Sequence, residues 1–177
     1  MYPLVRLARE VLRARRMPPL GMDGMHVSHH VVLPWDIDPW KELNNGRTLT
    51  LYDLGRIGLF TRSGAVKRMR EHGWGAAIAG ASVRYRKRLT MFQRFELRSR
   101  VIGWDARFLY VEQGAWSRGD CASHALLRVA ILAGGRMKAA TEVASELGLG
   151  ASPELPPWVV AWGDADAARP WPPTMGA

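Results

Sequence analysis

The stretch from Trp35 to Arg47 gathers the side chains best suited to chemistry. Asp36 and Asp38 stand one residue apart in a polar loop, and Asn44, Asn45 and Gly46 follow where a helical pattern begins. A loop carboxylate can activate water or attack an electrophilic carbonyl. The first turn of a helix presents N–H groups that have no partner inside the helix and carry partial positive charge, which suits a developing oxyanion. Asparagine at such a boundary is also an ordinary capping residue. Capping is the simpler reading of Asn44, and Asn45 is open between a cap and a ligand contact. Asp36, leaving the preceding strand, reads first as an acceptor for the loop's own backbone.

Further charged residues form patterns. Asp53 and Arg56 lie three apart on an otherwise apolar helix, so they pair on one face; a structural ion pair is the first reading and a second reactive carboxylate the alternative. Arg84, Arg86 and Arg88 alternate along one strand face, and Arg98 and Arg100 could sit beside them. Such a row suits phosphate, although a solvated sheet face is the first reading. His29 and His30 cannot chelate one metal from a strand, because neighbouring side chains point to opposite faces. Without a further Cys or His cluster, no metal site is expected. Cys121, the single cysteine, reads as a strand residue rather than a nucleophile. His72 and His124 show no partner and no role.

The elements that must position these groups follow from periodicity. Leu4, Leu7, Ala8, Val11 and Leu12 mark a basic amphipathic helix over residues 2–16, ended by Pro18 and Pro19. It reads first as a helix packed on the domain or a partly ordered arm, second as one lying on an anionic membrane surface. Residues 25–33 read as a strand. A helix over about 48–61 is apolar nearly all round, so it must be buried, and Gly55 and Gly58 call for close approach of another backbone. A basic amphipathic helix follows over 64–72. From Ala77 the period becomes two, through strands around Val83, Leu97 and Val111 to a long apolar strand, Cys121 to Ala133, with turns at 91–94, 103–106 and 118–120. Residues 141–148 read as a short helix. The Pro- and Trp-rich tail reads as an extended strap with a mobile end. The organisation is thus an N-terminal helix or arm (1–20), one α+β domain (21–150) and a C-terminal strap (151–177). A long helix wrapped by one curved antiparallel sheet satisfies this burial pattern.

The net charge of +9 over 177 residues favours anionic partners without choosing among nucleic acid, lipid or phosphate-bearing ligands. No zinc motif, helix-turn-helix or RNP-like aromatic motif supports nucleic acid, which is not expected as a partner. One cysteine precludes an internal disulfide, and Arg6, Arg9 and Glu10 break the first apolar stretch, so a cytoplasmic location is expected.

The segment from Val32 to Arg47, with its D-x-D followed by Asn-Asn at the start of the buried helix, resembles the hot-dog thioesterase superfamily, in particular its 4-hydroxybenzoyl-CoA thioesterase-like branch. It looks closer still to the "thioesterase superfamily member 6"-like proteins, through the L-P-x-D-x-D…N-N start, the Arg84-Tyr85-Arg86 strand and a turn at Gly103-Trp104-Asp105. The resemblance covers roughly residues 26 to 160. It implies a hot-dog fold, an acyl-CoA or similar acyl thioester as substrate, and no cofactor besides. It implies Asp38 as the acting carboxylate and the amides of Asn45 and Gly46 as oxyanion donors. Asp36, Asn44, Asp53, Arg84 and Arg86 are then the residues expected to touch the substrate. It also implies a dimer or tetramer, since such relatives pair sheets edge to edge. Leu43 stands where that branch often has a histidine or another polar residue. That departure keeps open a second reading, a non-catalytic acyl-ligand binder on the same fold, associated with a membrane surface through its N-terminal helix.

Overall fold

The computed structural model describes residues 2–21 and 23–173. Its centre is the apolar helix. This helix, α2, spans Asn45–Arg62 and starts three residues before the apolar pattern does. The reason is a cap: Asn44 Oδ1 accepts the Arg47 N–H at 3.1 Å, and the Asn44 carbonyl accepts the Thr48 N–H at 2.8 Å. The N-terminal helix α1 (Leu4–Arg16) packs along α2, and a short helix α3 (Ala65–Glu71) follows it after Gly64 in the left-handed region.

One antiparallel sheet wraps α2. Its strands are β1 (His26–Val31), β2 (Trp74–Tyr85), β3 (Arg94–Trp104), β4 (Leu109–Ser117) and β5 (Asp120–Ala133), in spatial order β1-β3-β4-β5-β2. A three-residue strand, β6 (Arg136–Lys138), returns along the end of β5; the sequence pattern does not mark it. Period-two alternation divides the faces. Leu97, Val101, Val111, Leu127 and Val129 point inward onto Leu51, Leu54 and Leu59 of α2. Helix α4 (Ala140–Glu146) closes one end of this core with Val143, together with Leu147 just past its end.

The two helical glycines sit where contact is tightest. A Cβ at Gly55 would lie 2.8 Å from Ser99 Oγ, and one at Gly58 would fall on the His26 ring. The close approach there is by side chains of β3, β4 and β1, whereas another backbone was expected.

Two expectations about the elements fail. The tail is not an extended strap: Pro157–Ala167 forms helix α5, with Pro156 and Pro157 at its start, where a missing N–H costs nothing. Val159 of α5 packs on the outer sheet face against Phe108, Tyr110, Leu126 and Ala130, a second apolar layer behind the sheet. The expectation for residues 174–177 falls outside the described residues. Strand β2 also ends at Tyr85, so Arg86 and Arg88 lie beyond it and do not extend the arginine row of one strand face.

Candidate functional site

The loop between β1 and α2 is tied down at both of its aspartates. Asp36 is fully buried. Its Oδ2 accepts from Arg6 Nη1 at 2.6 Å and from the Leu33 N–H at 3.0 Å; its Oδ1 accepts from Arg47 Nε at 3.1 Å and Nη2 at 2.9 Å. The expected substrate contact is therefore corrected: Asp36 is an internal anchor joining α1, the loop and the start of α2, and its carboxylate is enclosed between two guanidiniums. Asp38 is half-buried in a tight turn. Its Oδ1 accepts from the Trp40 N–H at 2.9 Å and the Glu42 N–H at 3.3 Å, while Ile37 and Leu43 bridge across the loop's base. Among the described residues no hydrogen bond reaches Asp38 Oδ2. The loop thus orients one oxygen of this carboxylate and leaves the other open.

Beside the first turn of α2 lies a cavity of about 230 Å³. Its wall includes Glu42 and Leu43 of the loop, Asn45 and Thr48 of α2, Ser123 of β5 and the segment Tyr85–Leu89. Asn45 and Gly46 occupy the first turn of α2, ahead of the first N–H bonded within the helix, and both are exposed. Tyr52 Oη, raised above its ordinary pKa by burial, hydrogen-bonds Ser123 at 2.9 Å and fixes the strand against the helix below. Tyr85 Oη donates to the Asn45 carbonyl at 3.3 Å. Arg86, Lys87 and Arg88 give the rim positive charge, with Arg88 Nε 2.9 Å from Glu42 Oε2. Leu43 turns into the core and offers the cavity no reactive group; the polar group is its neighbour Glu42.

The structure brings Asn45 and Arg86 to this cavity; Asp38 and Gly46 are not on its wall, and Asp38 is tied to it through the Glu42 N–H. Asn44 is the cap, as its simpler reading held. Two residues expected to touch the substrate lie away from this cavity. Asp53 lies on the α1 side of α2, where it binds the Tyr2 hydroxyl and, at 2.8 Å, Arg56 Nη2. Arg56 continues to Gln113 Oε1 at 2.8 Å, and Gln113 Nε2 to Ser99 Oγ at 2.7 Å and the Tyr52 carbonyl at 2.8 Å: a buried polar chain that locks helix to sheet. Arg84 stands apart on the outer face, by His124 and Trp158. His124 has a partner there after all, Glu112 Oε1 at 2.9 Å. Glu42, Lys87, Thr48 and Ser123 were missed. Only Glu42 had a local signal, a carboxylate three residues before the helix start.

A curved antiparallel sheet around a buried helix, with a D-x-D loop feeding that helix, defines the hot-dog thioesterase class. The family model "Thioesterase-like superfamily" matches residues 32–163, and the chain belongs to that family. Protein THEM6 of Xenopus laevis is 37% identical over 114 residues, covering 64% of this chain and 55% of that protein. Protein THEM6 of Danio rerio is 34% identical over 94 residues, 53% of this chain and 46% of that protein. The chain spans about half the length of these curated relatives. Among solved structures, the probable thioesterase YbaW of Escherichia coli superposes with TM-score 0.65 at 16% identity, over 70% of this chain and 96% of that one. A Thermus thermophilus thioesterase complexed with coenzyme A and Zn superposes with TM-score 0.58 at 24% identity, over 68% and 89%. Family and fold are thus those of the hot-dog thioesterases.

Proposed function

We propose that the chain hydrolyses acyl-CoA, with the thioester seated beside the first turn of α2. The observation that carries this reading is the cavity itself, where a helix N-terminus opens onto a basic rim and the Glu42 N–H ties an oriented carboxylate to the wall. The amides of Asn45 and Gly46 would stabilise the oxyanion, and Arg86 and Lys87 would meet the phosphates of coenzyme A. Asp38 is the acting carboxylate in this reading, because its loop fixes Oδ1 and leaves Oδ2 open, whereas Glu42 is neutralised by Arg88. Relatives in complex with coenzyme A support the ligand class.

The test compares Asp38→Asn with Glu42→Gln over short, long and aromatic acyl-CoAs. Asp38→Asn is expected to lower kcat by about 100-fold or more with the fold intact, and Glu42→Gln to change chiefly KM. The reverse pattern would transfer the role to Glu42. The second reading, a non-catalytic acyl binder, draws on the Glu42–Arg88 pair and on Leu43 turning into the core. It is chosen if the native protein binds acyl-CoA saturably and turns none over.

The same reading includes self-association. Among the described residues strand β2 pairs with β5 along one edge only, and Gly75, Ala76, Ala77, Ile78 and Ala79 are exposed along it. An open edge of this length pairs readily with a second copy. The expected assembly is a dimer or a tetramer built from such dimers, in the cytoplasm.

A further inference from the structure

Helix α1 faces the domain with a mixed side, where Leu7 packs on the core beside Arg6, Glu10 and Ala14, and leaves several apolar residues outside. Arg6 reaches inward to Asp36 and, at 2.6 Å, to the Val31 carbonyl. Glu10 is buried, with Oε1 3.1 Å from His26 Nε2, and Ala14 is 1% exposed. The apolar residues Leu4, Val5 and Leu12 are 67%, 85% and 52% exposed. Arg9, Arg13, Arg15 and Arg16 are exposed beside them, and no acidic residue is exposed on the helix.

Arg9 and Arg13 also wall a cavity of about 730 Å³, joined there by Arg94 at the start of β3 and Arg118 in the β4–β5 turn. The cavity's carboxylate, Glu96, is engaged by Arg98 at 3.0 Å. Among the described residues no carboxylate lies within ion-pair distance of Arg9, Arg13, Arg94 or Arg118. Just before Arg94, Met91 and Phe92 are 49% and 63% exposed. Phe92 holds φ +62°, a conformation costly for an aromatic residue, while its N–H donates to the Val32 carbonyl at 2.8 Å. The fold therefore holds a bulky apolar side chain outward beside the unpaired arginines.

We propose that this end of the molecule docks on an anionic lipid bilayer. The arginines meet lipid phosphates, and Val5, Leu12 and Phe92 enter the acyl boundary, the arrangement of an interfacial amphipathic surface. Charge complementarity selects this occupant. A second copy would set arginine against arginine, and nucleic acid would leave the apolar residues unused. The proposal is independent of the hydrolase reading.

The test is co-flotation of the full chain with phosphatidylcholine vesicles, with and without phosphatidylglycerol, at moderate salt. Vesicles containing phosphatidylglycerol are expected to capture the protein at least about ten-fold better, and added salt to release it. Arg9→Ala and Arg13→Ala are each expected to lower capture roughly five-fold. The pair Val5→Glu and Leu12→Glu, on the outward face, is expected to abolish it while the melting temperature holds. Equal capture by both vesicles, capture indifferent to these variants, or inorganic phosphate raising the melting temperature without any vesicle capture would each overturn the proposal. So would variant-sensitive binding to duplex DNA in place of vesicles.

Discussion

His30 is buried against Phe95, with Nε2 2.9 Å from Ser28 Oγ. Burial, aided by the nearby charges of Arg6 and Arg13, pulls its pKa down to about 4. The unfolded chain binds this proton near pH 6.5 and the folded one only near 4, so stability falls as pH drops through that window, by on the order of 3 kcal/mol at most. Glu112 adds a second, lower window. The His124 hydrogen bond outweighs burial and, with Arg100, holds the carboxyl at about 2. Its contribution is present above the ordinary carboxylate pKa and is lost below it. Urea midpoints measured from pH 7 to pH 3 are expected to fall in both windows. His30→Gln is expected to flatten the upper one alone. Asp36→Asn is expected to cost about 3–5 kcal/mol in the same assay, because it leaves buried guanidinium charge without its carboxylate.

Helix α2 is held by fit more than by propensity. A methyl group at Gly58 would strike the His26 ring, which bridges Glu10 and Arg62 in a buried chain. Arginine can only donate, so Arg62 donates to His26 Nδ1, and Nε2 carries the proton given to Glu10. Burial alone would raise the Glu10 carboxyl, but that bond and the neighbouring positive groups outweigh it and hold it below its ordinary value. Gly58→Ala is expected to destabilise by about 1–3 kcal/mol despite alanine's better helix propensity. Asn44→Ala removes the cap at the other end and is expected to cost about 1 kcal/mol. Chemical denaturation of both variants checks the two values. Because Asn44 sets the first turn, its loss is also expected to loosen the amides of Asn45 and Gly46 that the hydrolase reading uses.

At the scale of the whole molecule the sheet has an inside and an outside that both carry cores. Helix α2 fills one; α5 covers part of the other, anchored by Arg128, which pairs with Asp166 and lies 4.9 Å over the rings of Phe108 and Trp162. Among the described residues no helix is long and apolar enough to cross a membrane. In the proposed self-association the open edge of β2 is the contact surface. Ile78→Lys places a charge on that edge at a residue 45% exposed, and it is expected to convert a dimer into a monomer without lowering the monomer's own stability. Light scattering coupled to size exclusion measures the mass directly.

The class of fold was legible in the chain because its signals are local and periodic. An apolar stretch with polar residues nearly absent must be buried, and period-two strands after it must cover it; Gly55 and Gly58 announced the close contacts that Ser99 and His26 make. The D-x-D loop and the Asn-Asn boundary were likewise readable, because a cap acts within four residues of chain. What each carboxylate does was not. Asp36 and Asp38 are the same residue type two positions apart, yet one lies between Arg6 and Arg47 and the other keeps an oxygen open. That difference is made by Arg6, thirty residues away in sequence and brought in by the docking of α1. The meeting of Glu42 with Arg88 and Ser123, and the outward turn of Leu4, Val5 and Leu12, are decided the same way. Side-chain partners that are distant along the chain meet only once the sheet has closed on the helix, so tertiary structure alone decided them.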